Sequence, residues 1–324
     1  MTPPRRYFAY GSNLSVGQMV KRCPAAVRGE VAALPGWRFV INRRGVATIL
    51  PDGEAQVMGL LWDLTPACEV ALDGYEGVAK GHYEKRSLAV GSTPTLVYIA
   101  TESAPGAPRD AYLEGILAAA QALGMAPPYR EQLAAWGRPV PLWLAKEVLR
   151  SYALDPRGIH GPSHWLRVRT NGMTLASMTP GADAALIELF ALLHDSRRRD
   201  EGSDRGHGER AADYVRQLAS DGVLRLTPQR LGTLVSACAL HEHGQVSEDP
   251  TIGCCWDADR LELARLGRRP IASLLSTPGA RDPAVQAGAW RRGSEGLLDH
   301  AAAAAWGIAS DPAAHCQKSL ASRC

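Results

Sequence analysis

The chain has 324 residues, 46% of them hydrophobic, and a formal net charge of +3 at pH 7. That length suggests two domains rather than one. So small a charge, with aromatics at 6% and no basic stripe interleaved with them, argues against a nucleic-acid reader and against a membrane surface as partner.

Seven cysteines, an odd number without paired spacing, read as reduced thiol. The opening residues, MTPPRRYFAY, hold no apolar run of signal-peptide length, and no stretch of the sequence is apolar enough for long enough to span a bilayer. A cytoplasmic location is the expectation.

Residues 6–100 alternate short β-rich runs with turn residues. Strands are predicted at 6–10, 37–42, 46–50, 56–64, 83–90 and 95–99, with Pro51-Asp52-Gly53 as a break. Helices are predicted at 15–22, at 65–75 with Thr65 as N-cap and Pro66 at the first helical position, and at 110–123 and 128–136. Six strands with few helices predict a small mixed β-barrel or a strongly curved sheet. Gly137-Arg138-Pro139-Val140-Pro141 then interrupts the pattern. After it only helical periodicity remains, at 142–152, 162–178, 182–199, 208–220, 228–243 and 257–266. The fold class is therefore α+β: a small mixed β-barrel over residues 1–145, followed by an all-α domain over 146–324. The tail from about residue 280 is expected to hold one helix, 294–306, and a weakly ordered end.

Two stretches carry chemistry. In the first domain, Tyr7-Phe8-Ala9-Tyr10-Gly11-Ser12-Asn13-Leu14 runs from an apolar strand into a Gly-Ser-Asn turn and then a helix. Backbone N–H groups in such a turn form a cradle for an anion or an oxyanion. Further on, Glu76 lies between Gly74 and Gly77 after a helix end, where a lone acid is ordinarily just a solvated loop residue. With Gly45-Val46-Ala47-Thr48-Ile49, and with residues 108–133 carrying Tyr112, Leu123-Gly124 and Tyr129, these segments resemble the gamma-glutamylcyclotransferase family over roughly residues 5–136. The resemblance implies release of 5-oxoproline from a small gamma-glutamyl amine or peptide, with Glu76 as the general acid–base. It implies that Tyr10, Gly11, Ser12, Asn13 and Leu14 bind the glutamyl portion and that Tyr98 lines the pocket. Asp73 reads as structural, and no cofactor is implied for this half.

In the second domain, six of the chain's nine histidines fall between His160 and Asp259. Helical spacing puts His194 on one stripe with Ile187, Phe190 and Ala191, and His241 on one with Leu231, Leu234 and Cys238. His207 aligns with Ala211, Tyr214 and Leu218. Asp257 aligns with Leu261 and Ala264, Asp259 with Leu263 and Leu266, and periodicity does not choose between the two acids. Singly, each has a plain reading: a core histidine bonded to a carbonyl, a helix-end acid at Asp195, an N-cap at Asp257. As an ordered set on neighbouring helices they read as a metal site, because an apolar core accepts imidazoles and carboxylates only when something neutralises them.

The segments HGPSHWLRV, ALLHD, HGERAADYV, ACALHEHG and CWDADRLEL, in that order, resemble the HD superfamily of metal-dependent phosphohydrolases over roughly residues 155–275. That resemblance implies His164, His194, Asp195 and a late aspartate as the core ligands, Asp259 fitting better and Asp257 standing second. His207 and His241 match the added pair of two-metal members. Two divalent cations (Fe, Mn or Zn) are implied, with hydrolysis of a small phosphorylated substrate. Arg197, Arg198 and Arg210 are candidates for holding its phosphate oxygens, and a di-iron oxygenase is the alternative chemistry. The whole chain then reads as a bifunctional enzyme. The alternative makes the N-terminal domain a non-catalytic ligand-sensing module that regulates the other.

Overall fold

The computed structural model describes residues 4–308. The chain divides into two compact units, one formed by Met1–Arg138 with Asp221–Arg225, the other by Pro139–Ser220 and the chain from Leu226 onward.

The first unit is built on a five-stranded mixed sheet: β1 (Arg5–Ala9), β2 (Val27–Ile41), β3 (Ala47–Leu64), β4 (Tyr83–Val90) and β5 (Thr93–Ala100). Its order is β2-β3-β1-β5-β4, with β1 antiparallel to β3 and parallel to β5. Central β1 contributes Tyr7, Phe8 and Ala9 to the core. Around the sheet lie α1 (Val16–Arg22), α2 (Pro66–Glu76), α3 (Tyr112–Ala122) and α4 (Pro127–Ala134). Thr65 caps α2 as expected, its hydroxyl accepting from the Cys68 N–H, with Pro66 at the first helical position.

Two expectations need correction. Among the described residues there are five strands, not six: the runs at 46–50 and 56–64 are one strand, and β2 takes in residues 27–41. Pro51-Asp52-Gly53 does not turn the chain; the register against β2 shifts between Pro35 and Trp37, where Gly36 takes φ +80°, and the irregularity is absorbed there. The sheet is also open rather than a closed barrel, ending in β2 on one side and β4 on the other.

The second unit is helical in its described residues: α5 (Leu142–Arg150), α6 (Pro162–Met178), α7 (Ala184–Leu193), α8 (His207–Ser220), α9 (Pro228–Leu240), α10 (Pro250–Leu261), α11 (Pro278–Arg281), α12 (Pro283–Glu295) and α13 (His300–Trp306). The sequence of α7, AALIELFALL, buries seven of its residues, as a helix at the centre of its layer must. Helix 182–199 was expected to run on, yet α7 ends at Leu193. The Ser196 hydroxyl donates to the Leu193 carbonyl at 2.8 Å, and the chain turns immediately through the His194-Asp195 doublet. Likewise α10 starts at Pro250 rather than at 257, because Asp249 caps it by accepting from the Thr251 and Ile252 N–H groups. The tail holds two helices, α12 and α13, where one was expected, and its end beyond residue 308 lies outside the described residues. No described helix is long and apolar enough to cross a membrane.

Candidate functional site

In the first unit a small cavity of about 30 Å³ opens where β1 ends. It is lined by Tyr7, Tyr10, Gly11, Ser12, Asn13, Ala47, Glu76, Tyr83, Tyr98 and Tyr112. Glu76 is the last residue of α2, and Gly77 after it takes φ +66° in the left-handed region. A Cβ at Gly77 would lie 2.8 Å from the His82 ring, so both conformation and space demand glycine behind the acid. Glu76 Oε1 accepts a 3.0 Å hydrogen bond from Asn13 Nδ2, which also donates to the Tyr7 hydroxyl at 3.0 Å. Glu76 is the only carboxylate in the lining. Burial raises its pKa above 4.5, against the opposing pull of Arg22, the Asn13 bond and Arg44.

The phenols around it are tied down. Tyr10 donates to the Tyr98 carbonyl at 2.6 Å, Tyr83 to the Ala47 carbonyl at 2.8 Å, and Tyr98 to Asp73 Oδ1 at 2.7 Å, while the Tyr112 oxygen accepts from the Ala47 N–H at 3.1 Å. Burial pushes all five phenols above their ordinary range, so they stay neutral. The cavity thus holds one carboxylate among fixed neutral phenols, with Arg22 and Arg44 acting on it from outside the lining.

In the second unit the imidazoles converge. Asp195 sits between two pairs. Its Oδ2 is 3.4 Å from His164 Nε2 and 3.8 Å from His194 Nε2; its Oδ1 is 3.2 Å from His207 Nε2 and 3.7 Å from His241 Nε2. Asp259 Oδ1 joins the first pair, 3.4 Å from His164 Nε2 and 3.8 Å from His194 Nε2. His164, His194 and Asp195 form one group able to hold a metal ion; Asp195, His207 and His241 form a second.

The proton inventory tests whether cations fit. Nδ1 of His194 lies 3.1 Å from the Phe190 carbonyl, Nδ1 of His241 2.7 Å from that of Cys238, and Nδ1 of His207 2.7 Å from that of Asp204. Carbonyls only accept, so these three Nδ1 atoms carry the hydrogens. His164 Nδ1 faces the Glu262 carboxylate at 2.9 Å and must do the same. Each neutral ring then presents an Nε2 lone pair inward. The two Nε2 atoms of one pair are 3.1 Å apart and those of the other 2.9 Å. Four lone pairs meet a carboxylate whose Oδ1 is buried without a hydrogen-bond partner. Such a cluster of acceptors needs positive charge at its centre, and divalent cations fit it.

Charge on the side chains points the same way. Burial raises Asp195, but the surrounding histidines outweigh it and hold the carboxyl well below its ordinary range. Burial drives His194 down to about 3. Burial and Arg265 oppose protonation of His164, yet Asp195 and Glu262 win and raise it. Glu262, 1% exposed and paired with Arg167 and Arg265, orients His164 from behind. Asp259, with a quarter of its side chain exposed, marks the open side. Close approach of α8 to α9 makes the second pair possible: a Cβ on Gly208 would lie 2.7 Å from the Cys238 carbonyl and 2.8 Å from that of Ala239.

Against this geometry, the AIG2-like family model matches residues 56–133. A gamma-glutamylcyclotransferase of Mus musculus is 33% identical over 146 residues, spanning 40% of this chain and 77% of that protein. The Homo sapiens protein of the same name is 30% identical over the same spans. The chain belongs to the gamma-glutamylcyclotransferase family. Among solved structures, one titled gamma-glutamyl cyclotransferase is 27% identical over 40% of this chain and 86% of that one, with a TM-score of 0.37. Another, titled a predicted HD superfamily hydrolase from an uncultured Thermotogales bacterium, is 25% identical over 46% of this chain and 82% of that one, with a TM-score of 0.35.

Within this gamma-glutamylcyclotransferase family member, the structure brings Tyr10, Gly11, Ser12, Asn13, Glu76 and Tyr98 to one cavity. Leu14 is placed differently: its side chain is in the core and its N–H donates to the Gly11 carbonyl. Asp257 stands apart from the imidazoles, fully buried, accepting from the Ser276 and Thr277 N–H groups and the Thr277 hydroxyl. Of the arginines, Arg197 stacks 3.3 Å over the Tyr214 ring and donates to Ser151, and Arg210 is held by both oxygens of Asp204 at 2.6 Å. Both guanidinium groups are spent on protein partners. Arg198 is also buried and donates to the Asp200 and Gly202 carbonyls, but its Nη1 reaches the cluster, 3.6 Å from Asp195 Oδ1 and 3.1 Å from His207 Nε2. Sequence reasoning passed over Tyr83 and Glu262. Tyr83 sits in an ordinary alternating strand, and the only signal for Glu262 was its place one position after Leu261, beyond the end of the helix that bears Asp259.

Proposed function

We propose that the first unit releases 5-oxoproline from a small gamma-glutamyl amine or peptide, with Glu76 as its acid–base. The observation that carries this reading is the single, half-buried carboxylate with a raised pKa in a cavity otherwise lined by neutral donors. The substrate's α-amine nitrogen attacks its own γ-carbonyl carbon. A ring C–N bond forms, the amide C–N bond breaks, and the amine leaves. Because the attack is intramolecular, holding the folded conformer supplies much of the rate. Glu76 takes a proton from the α-ammonium and returns it to the departing nitrogen. The Gly11–Asn13 turn lines the cavity, and its backbone N–H groups would receive the developing oxyanion.

For the second unit the reading is a phosphohydrolase with two divalent cations (Fe, Mn or Zn) and a small phosphorylated substrate. Bound cations supply Lewis acidity and an activated water. His164, His194, Asp195 and Asp259 would hold one, and Asp195, His207 and His241 the other, with Asp195 common to both groups. Arg198 is the guanidinium in position for a phosphate oxygen. With the first activity assigned to residues 1–145 and the second to 146–324, the chain reads as a bifunctional enzyme.

The test is a screen of purified protein against gamma-glutamyl amides and small phosphomonoesters, with elemental analysis and a chelator arm. Expected are 5-oxoproline release that survives chelation and phosphate release that does not. Absence of 5-oxoproline would make the first unit a ligand-sensing module. Oxygen consumption in place of phosphate release would make the second a di-iron oxygenase.

A further inference from the structure

Asn13 is fixed from two sides. Its Oδ1 accepts from Arg22 at 2.8 Å and from Gln18 Nε2 at 3.2 Å, and its Nδ2 donates to Glu76 Oε1 and to the Tyr7 hydroxyl, both at 3.0 Å. Gln18 and Arg22 are four residues apart on α1 and therefore share a face. The Arg22 guanidinium also lies 4.7 Å over the ring of Tyr75, the residue before Glu76. It thus ties the last turn of α1 to the end of α2.

An amide can flip. With Nδ2 and Oδ1 exchanged, Asn13 would present an acceptor to the Glu76 carboxylate in a nearly closed site (Asn13 is 3% exposed). A charged donor on the far side makes that flip costly, because it would leave the guanidinium facing an amide NH₂.

We propose that Arg22 is a positioning residue of the cyclotransfer site, acting through Asn13 to hold the Glu76 carboxylate in its working orientation. The proposal rests on the reading of Glu76 as acid–base. Arg22 is not in the cavity lining, so its effect passes through the amide and through charge. Glu76 is faced by Asn13, by Arg22 from α1, by Arg44 from the β2–β3 connection, by Tyr7 and Tyr10 at the end of β1, by Tyr83 from β4 and by Tyr112 from α3. Among these, Arg22 and Arg44 are the cations. Removing Arg22 takes away one of the two and loosens the Asn13 bond, so Glu76 should titrate at higher pH.

Two variants test this. Arg22→Met keeps an alkyl stem over Tyr75 and loses the donor and the charge; Arg22→Lys keeps both. For Arg22→Met, kcat should fall about 10- to 100-fold, the scale of a lost charge-assisted hydrogen bond, with KM nearly unchanged and the acid limb of the pH profile displaced upward. Arg22→Lys should recover most of the loss. In parallel, ¹³C NMR of carboxyl-labelled glutamate, with Glu76 assigned by its absence in Glu76→Gln, reads the titration without turnover. An unmoved Glu76 titration in Arg22→Met, or a rise in KM alone, overturns the proposal. A wild-type chain that releases no 5-oxoproline sinks the cyclotransfer reading instead, and the NMR arm still decides whether Arg22 governs Glu76.

Discussion

The two sites solve opposite electrostatic problems. Around Glu76 one acid sits among neutral phenols and an amide, and burial leaves it reluctant to ionise although Arg22 and Arg44 pull the other way. Around Asp195 four imidazoles and two carboxylates crowd together in two groups that could each hold a metal ion, with Arg198 the nearby cation. A carboxylate is poised for proton transfer when burial and nearby cations oppose one another, since a dominant cation would hold it permanently ionised and weaken it as a base. Ligands need the reverse: acceptors packed tightly and pinned from behind, so that a cation becomes the missing partner. A buried carboxylate is informative only together with the donors and acceptors that surround it.

Glu76→Gln should separate the sites most sharply. Loss of the only carboxylate in the cavity is expected to cut 5-oxoproline release about 10²- to 10⁴-fold, with metal content unchanged; undiminished release would remove Glu76 from its role. In the wild type, kcat/KM for cyclotransfer should rise with pH through a limb above 4.5. The raised carboxyl must lose its proton before it can act as a base, so activity is missing below that limb and present above it. A limb at or below 4.5 would contradict the burial argument.

Asp195→Ala attacks the other site. Both cation groups share this residue, so bound metal should drop to near zero and the second unit should lose about 3–5 kcal/mol, the cost of removing one member of a buried charged cluster. Cyclotransfer should persist. Full metal occupancy in the variant would end the bridging assignment.

Gly208→Ala is a subtler probe. Its Cβ would press on the Cys238 and Ala239 carbonyls, forcing α8 from α9 and His207 from His241. A loss of about 1–3 kcal/mol is expected from overpacking, with weaker metal binding measured by titration and the His164 side less affected. Equal weakening of both cation groups would show that they do not separate as drawn. Smallest is Tyr98→Phe, which removes the bond to Asp73 while Lys85 still holds that acid at 3.0 Å. About 0.5–1.5 kcal/mol of stability should go, read by thermal melting, with at most a modest fall in cyclotransfer.

Much of this was legible in the linear order of residues. The Thr65-Pro66 start of α2, the Pro162–Met178 bounds of α6 and the inward stripes ending in His194 and His241 follow from capping chemistry and a 3.6-residue period, both local. So does the Gly-Ser-Asn turn that ends the central strand. Composition and pattern alone therefore determined an α+β chain with a β-rich first part and a helical second part, and named most of the side chains that meet. Only the tertiary structure decided the rest, because those outcomes depend on partners distant in the chain. It made two strand runs into one long strand through a register shift against β2. It left the sheet open, chose Asp259 over Asp257 by giving Asp257 three donors of its own, and turned Arg197 and Arg210 to Tyr214, Ser151 and Asp204. Periodicity says which face a side chain leaves from; what it meets there is set by packing across tens of residues, where burial and the pairing of every donor with an acceptor select one arrangement.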